Sequence, residues 1–259
     1  MKKSLKEIQE IETDMLKEIY HICQRNDIPY FLSYGSALGA IRHGGPIPWD
    51  TDSDIIVPIT HFETFCAAMR NELPEKYYLD YTNDQSEKKN MLIPRIGLKG
   101  YSTSILHVDV FKLVGVSSDP ELQKQFAEKT KKLSKILKIK SNSLIDVYNN
   151  TSIRNCCYFL FMKCFYFWCN KNIIHKQLND LCFLYPYEES VYVTNPNDDK
   201  AIEKFVYGNG TKVNYCDFLG TVPEHYDKYL KHFYDDYMLP RKYREAKQYY
   251  EIRKFRQIK

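Results

Sequence analysis

The stretch Pro48-Trp49-Asp50-Thr51-Asp52-Ser53-Asp54-Ile55-Ile56-Val57 sets three carboxylates at alternate positions and then runs into β-branched residues. That composition predicts a loop entering a strand. In a strand, residues two apart share a face and sit roughly 6.6 Å apart. Carboxylates crowded on one face repel each other unless a cation stands between them. An all-oxygen donor set of this kind suits Mg²⁺ or Mn²⁺. Asp50, Asp52 and Asp54 are therefore candidate metal ligands, with Asp50 open to a second reading as a loop residue that caps a turn.

Working outward from this run, Leu5, Ile8, Ile11, Met15, Ile19 and Ile22 recur at steps of three and four, which predicts an amphipathic helix ending near Asn26-Asp27. A short apolar piece, Tyr30 to Leu32, leads into Gly35-Ser36 and a short helix over Ala37 to Ile41. The run from Asp54 to Pro58 reads as a strand and that from Phe62 to Asn71 as a helix. Strands are expected over Tyr77 to Tyr81, Leu92 to Leu98 and Ile105 to Val114, with a polar loop at Asn83 to Asn90. Helical spacing returns over Leu122 to Ile139, Ile153 to Leu184 and Pro223 to Tyr237, and a basic, helical tail is expected over Arg241 to Lys259. The expectation is an α/β (α+β) fold. A mixed sheet flanked by helices forms a catalytic core over 1–115, and a mostly helical region over 116–259 completes the module.

Three elements carry the chemistry. Gly35-Ser36 opens a helix, and small residues there let backbone N–H groups and a hydroxyl approach a phosphate. Asp52-x-Asp54 follows. The third is Asp109 in His107-Val108-Asp109-Val110-Phe111, a carboxylate with apolar neighbours. An unpaired carboxylate on a core strand is costly. A metal ion, a proton-transfer role or an ion pair with Arg or Lys would account for it. A glycine and a small residue, then Asp-x-Asp, then a third Asp on a later strand is the pattern of the nucleotidyltransferase fold.

The longer string from Phe31 to Ile55, FLSYGSALGAIRHGGPIPWDTDSDI, resembles the signature of the LicD family, which contains bacterial phosphocholine transferases and is related to fukutin-type ribitol-phosphate transferases. The resemblance continues at His107 to Phe111. It returns at Phe218-Leu219-Gly220, Val222-Pro223, Tyr229-Leu230 and Tyr234-Asp235-Asp236-Tyr237-Met238. Residues 115–205 carry no motif of the family. Three positions depart from its pattern: Tyr34 stands where the family usually has Gly, Ser36 where it often has Thr, and Asp235 where Gly is common.

The resemblance implies metal-dependent transfer of a substituted phosphate, phosphocholine first among them, from a CDP-activated donor to a hydroxyl of a glycan or polyol, with CMP leaving. Glycerol phosphate, ribitol phosphate or a sugar phosphate remain open as the group moved, as does transfer of the nucleotidyl part itself. Asp52 and Asp54 would hold Mg²⁺ or Mn²⁺, and Asp109 would complete a second metal site or act as base. Gly35 and Ser36 would contact donor phosphate. Arg42 is a candidate phosphate clamp because its fork matches phosphate oxygens, or else a partner of one of the aspartates. His43 could donate to phosphate. Trp49 could stack on the base or cage a quaternary ammonium, against plain core packing. Arg95 and Lys99 could face the same cleft. Tyr229, Tyr234, Asp236 and Tyr237 are expected to pack around the site.

The bulk numbers narrow the partners. A net charge of +4 over 259 residues does not imply nucleic-acid binding, and no recognised nucleic-acid module accompanies it. The eight cysteines form no CxxC pair and no Cys/His zinc spacing, so reduced, buried thiols are expected. Lys2, Lys3 and Lys6 lead into an amphipathic pattern rather than a signal peptide, and no apolar run reaches the ~20 residues that span a bilayer. The expected location is cytoplasmic, with peripheral contact at the inner face of the membrane. The lysines between Lys124 and Lys140, followed by the aromatic run Tyr158 to Trp168, suggest a surface for anionic lipid if the acceptor is lipid-linked. A solvated basic helix covering an aromatic core is the competing reading.

Overall fold

A computed structural model describes residues 2–81, 93–101, 103, 106–141, 153–239 and 249–251. The chain forms two compact units, one of residues 1–81, 93–113 and 202–259, the other of residues 82–92 and 114–201. The chain passes from the first unit to the second after Leu113 and returns to the first at Ile202.

In the first unit, β1 (Lys2–Ser4) leads into α1 (Leu5–Arg25). Ser4 and Glu7 form a reciprocal capping box: the Glu7 N–H donates to Ser4 Oγ at 3.2 Å and the Ser4 N–H to Glu7 Oε2 at 2.7 Å. The apolar stripe of α1 is buried, with Ile8, Met15, Leu16, Ile19 and Ile22 fully covered. Next come β2 (Phe31–Leu32), α2 (Tyr34–His43), β3 (Ser53–Pro58), α3 (Phe62–Glu72), β4 (Tyr77–Asp80), β5 (Arg95–Leu98) and β6 (His107–Val116). Helix α2 stops where Gly44 adopts a left-handed conformation (φ 65°).

The strands lie in the order β2-β3-β6-β5-β4. The β3–β6 pair is parallel and the others are antiparallel, so the sheet is mixed. The register sets Asp54 opposite Asp109 and Asp109 opposite Arg95, one row across three strands. Residues directly opposite one another share a face of the sheet. The sheet therefore gathers charges that lie 14 to 55 positions apart in the chain.

In the second unit, β7 (Tyr192–Thr194) pairs antiparallel with Val114 to Val116, the far end of β6. Helices α4 (Pro120–Ser141), α5 (Ile153–Phe165) and α6 (Lys171–Cys182) follow β6. A small core of Ile136, Leu137, Ile174 and Leu178, flanked by Leu133, Tyr166 and Cys169, joins α4 to α6. The segment expected as one helix over Ile153 to Leu184 is two helices. Asn170 breaks it, because its side chain accepts from the N–H groups of Asn172 and Ile173 and so starts a new helix.

Back in the first unit, β8 (Ile202–Glu203) precedes the hairpin of β9 (Thr211–Tyr215) and β10 (Phe218–Val222), and α7 (Tyr226–Tyr234) follows. In the tail expected to be helical, Tyr249–Glu251 forms β11, an antiparallel partner for β1. The exposed backbone of a short edge strand is a ready template for such pairing. The rest of that tail, and the expected polar loop at Asn83 to Asn90, lie outside the described residues. Cys23, Cys66 and Cys182 are buried as expected, whereas Cys157, Cys164 and Cys216 are exposed, and the described cysteines are all free.

Candidate active site

The acidic loop Asp50 to Asp54 is held from beneath by α1. The Gln9 amide donates to the carbonyls of Ile47 at 2.8 Å and Asp50 at 2.9 Å. One turn further on, Glu12 is buried, and its Oε2 accepts from Ser53 Oγ at 3.2 Å. The other oxygen of Glu12 has no partner among the described residues. Burial, and then the charge of Asp52, push the Glu12 carboxyl well above its ordinary range. Neither Gln9 nor Glu12 was singled out from sequence. A signal was there: Glu12 falls on the apolar stripe, four residues after Ile8 and three before Met15, where a carboxylate is out of place.

Helix α2 supplies the opposite support. A Cβ on Gly35 would meet Asp50 Oδ2 at 2.4 Å, so glycine is what lets the carboxylate lie against the helix start. The hydroxyl of Ser36 is buried and accepts from the Asp54 N–H at 2.8 Å. Ser36 therefore anchors the strand that carries Asp54 and does not line the cleft. Tyr34 has φ of 45°, a left-handed conformation that favours glycine. Its ring packs edge-on against Phe111 and Phe233, each with centroids 5.3 Å away, and its N–H donates to Tyr229 Oη at 3.1 Å. Asp235 is likewise at positive φ, 52°. Two positions where this chain replaces the glycine common in the resembling family thus keep a glycine-like backbone.

A cleft of about 410 Å³ opens between these elements, lined among others by Gly35, Arg42, Trp49, Asp50, Asp52 and Asp54. Tyr34, Tyr234, Asp236 and Tyr237 line it as well. Tyr234 and Tyr237, expected to serve as packing, are part of the wall, whereas Tyr229 is buried. Among the described residues, Arg42 forms no ion pair with an aspartate. Its Nη1 donates to the Tyr237 carbonyl at 2.6 Å and its Nε to His43 Nε2 at 3.0 Å, which ties α2 to the segment after α7. His43 is exposed, outside the lining, with its ring edge-on to Trp49.

The charges in the cleft repel one another. Burial, followed by a hydrogen bond with Asp52 and the charge of Asp52, pushes the Asp50 carboxyl up to about 7. Burial and the charges of Asp52, Asp109 and Asp50 push Asp54 up to about 8. Asp109 behaves otherwise. Burial raises it, but His107 and Arg95 outweigh burial and leave it below the ordinary carboxylate range. Arg95 Nε lies 2.7 Å from Asp109 Oδ1 and His107 Nε2 lies 3.3 Å from it. Arg95 also donates to the Thr103 carbonyl at 2.8 Å. It is occupied within the sheet rather than facing the cleft. Lys99 is exposed in the turn after β5, four residues beyond Arg95, and is not in the lining either.

The donor set of Asp50, Asp52 and Asp54 is all oxygen and carries excess negative charge, which is what a hard divalent ion neutralises. Among the described residues, no three His, Cys, Asp or Glu side chains already surround a common point. Enclosing an ion would require these carboxylates to turn toward a common point.

Residues 27–144 match the family model described as LicD/FKTN/FKRP, nucleotidyltransferase domain. The chain is 26% identical over 263 aligned residues to the lipopolysaccharide cholinephosphotransferase LicD of Haemophilus influenzae, covering 92% of this chain and 93% of that protein. A shorter match, 35% identical over 68 residues, is to an uncharacterized protein of Rickettsia prowazekii, covering 26% of this chain and 24% of that one. Among solved structures, terminal uridylyl transferase 4 from Trypanosoma brucei with bound GTP is similar at 7% identity and a TM-score of 0.24, covering 52% of this chain and 49% of that chain.

Proposed function

We propose that the chain, which matches the LicD/FKTN/FKRP model over residues 27–144 and is similar over most of its length to a LicD protein, transfers a substituted phosphate, phosphocholine first among them, from a CDP-activated donor to a hydroxyl of a cell-surface glycan. The observation that carries this reading is the composition of one cleft, in which Asp50, Asp52 and Asp54 face Trp49, Tyr234, Tyr237 and Arg42. The carboxylates suit a divalent ion that neutralises donor phosphates. Aromatic faces suit a quaternary ammonium, which favours choline over glycerol or ribitol. The Haemophilus relative bears the name of a cholinephosphotransferase acting on lipopolysaccharide, which supports the same reading.

In the proposed reaction an acceptor hydroxyl oxygen forms a bond to the phosphorus that carries choline. The bond from that phosphorus to the bridging oxygen breaks, CMP leaves with the electron pair, and the hydroxyl proton passes to a base. Such chemistry consists mostly of positioning and charge neutralisation. Asp52 and Asp54 would hold Mg²⁺ or Mn²⁺, with Asp50 beside them, and the ion would offset the charge developing on the phosphate oxygens. Gln9, Glu12 and Ser36 keep the acidic loop and Asp54 in place. Gly35 leaves room for Asp50. Arg42, at the cleft wall, would meet a donor phosphate oxygen. Asp109, held by Arg95 and His107, has a depressed proton affinity, which makes it a poor base.

The test is CMP release with CDP-choline, CDP-glycerol and CDP-ribitol in the presence of Mg²⁺. CDP-choline is expected to be preferred, and Asp52→Asn or Asp54→Asn is expected to abolish release while the circular dichroism spectrum stays unchanged. A flat response across the three donors would point to another donor class, and full activity in either variant would remove the metal assignment.

A further inference from the structure

Helix α5 buries none of its described residues, yet it is rich in aromatic side chains. Phe161 is 65% exposed, Phe165 63%, Phe167 70% and Trp168 88%. Phe161 and Phe165 lie one turn apart with stacked rings, 6.5 Å between centroids, so they extend along one side of the helix. Phe167 and Trp168 continue the patch in the turn before α6. Large contiguous apolar patches of this kind are rare on soluble proteins without a partner.

The charge around the patch has one sign. Between Ile153 and Asn179 there is no Asp or Glu, and Arg154, Lys163, Lys171 and Lys176 lie in that span. Lys163 Nζ stands over the Phe159 ring at 5.6 Å. Lys140 Nζ donates to the carbonyls of Tyr166 at 3.4 Å and Phe167 at 3.3 Å, which brings another cation to the edge of the aromatic turn. A second copy of the same surface would set like charge against like. At 13 residues α5 is too short to cross a bilayer, and no helix among the described residues is long and apolar enough to do so. Exposed Trp and Phe beside lysines, on a helix of this length, suit the interface of an anionic bilayer.

We infer that α5 and the turn after it form a docking surface for an anionic membrane, with Phe161, Phe165, Phe167 and Trp168 entering the headgroup region and Lys140, Lys163 and Lys176 facing acidic lipid. This surface lies wholly in the second unit and does not rest on the transferase reading. It differs from the sequence expectation in one respect. Lys131, in the middle of the basic helix α4, is paired with Asp199 and is not the cation to neutralise.

The test uses the full chain with vesicles of phosphatidylcholine alone and of phosphatidylcholine mixed with phosphatidylglycerol. Flotation with the mixed vesicles and little with the neutral ones is expected. Trp49 and Trp168 are the two tryptophans of the chain, so a Trp49→Phe background lets Trp168 report alone. Its emission should shift to the blue and resist acrylamide quenching when the mixed vesicles are added. Phe161→Ser with Phe165→Ser and Trp168→Ser should abolish flotation, and Lys163→Gln with Lys176→Gln should weaken it roughly 30-fold. Unchanged thermal midpoints are expected for both variants, since these side chains are not in the core. Equal flotation of all variants, or an unshifted Trp168, would overturn the inference. So would a lipid-free dimer that shields Trp168 and is lost in the triple variant, because the patch would then be an interface between copies of the chain.

Discussion

Asp54 and Asp109 stand opposite each other on the parallel strands β3 and β6, yet their carboxyls are displaced in opposite directions. His107 and Arg95 account for the difference. They lie 3.3 Å and 2.7 Å from Asp109, whereas Asp54 stands among other carboxylates. The row therefore contains one neutralised acid and one that calls for a cation.

Arg95→Gln should destabilise the fold by about 2 kcal/mol, in the range of charge-assisted hydrogen bonds lost from a partly buried group. The folded-state pKa of Asp109 is depressed, so its contribution is present above the ordinary carboxylate value and is lost as pH falls through the depressed one. Urea unfolding of the parent and of Arg95→Gln at pH 7 and at pH 3 should thus show a gap that narrows in acid. A gap of constant size would mean that the pair contributes through packing alone.

Asp50 and Asp54 carry the opposite sign. Their folded pKa values, about 7 and about 8, lie above the ordinary 3.8, so stability fully present below the ordinary value is lost progressively as pH rises and is gone once pH passes 7 to 8. A divalent ion would displace the protons, so Mn²⁺ affinity measured by calorimetry should strengthen from pH 6 to pH 8.5, with proton release at the lower pH. Mg²⁺ should raise the thermal midpoint more at pH 8.5 than at pH 6. Asp54→Asn should lose both effects and, without metal, should be at least as stable as the parent at pH 8.5.

Glu12→Gln isolates the buried acid beneath the loop. The Glu12 pKa is raised, so the cost of ionising it grows as pH climbs above about 4.5, the ordinary value. The amide removes that cost and can still accept from Ser53. Expected is a gain on the order of 1–3 kcal/mol at pH 8 and little change at pH 4, read from denaturant midpoints. A loss of stability at pH 8 would show that the Glu12 charge is needed in the fold.

Asp235→Gly and Tyr34→Gly share a backbone argument but should differ in outcome. A left-handed conformation costs a non-glycine residue roughly 1–2 kcal/mol. Asp235 is exposed, so glycine there should stabilise by about 1 kcal/mol. At Tyr34 the same relief is set against the lost edge contacts to Phe111 and Phe233, worth about 0.5–1.5 kcal/mol each beyond the area they bury. Tyr34→Gly should therefore be less stable than the parent in thermal unfolding, and it should enlarge the cleft.

Much of the fold was legible because its signals are local. The α1 stripe, the β-branched run after Asp54 and the apolar neighbours of Asp109 each follow from residues a few positions apart. So does the acidic cluster, whose spacing implies a strand face whatever surrounds it. The break at Asn170 was also local, but the apolar residues on either side masked it.

What sequence spacing could not carry was the choice of partners. Asp109 with apolar neighbours was open to a metal, a proton or an arginine. Only the β5–β6 register, which brings Arg95 from 14 residues away, sets an arginine against it. The same holds for Ser36, whose hydroxyl is spent on the Asp54 N–H, and for Tyr237, brought to Arg42 across 195 residues. Periodicity and composition dictate which residues can form a strand, a helix or a charged loop, because those depend on neighbouring dihedral angles and on burial of one face. Which charge neutralises which depends on strand order and side-chain reach, and the tertiary structure alone decides that.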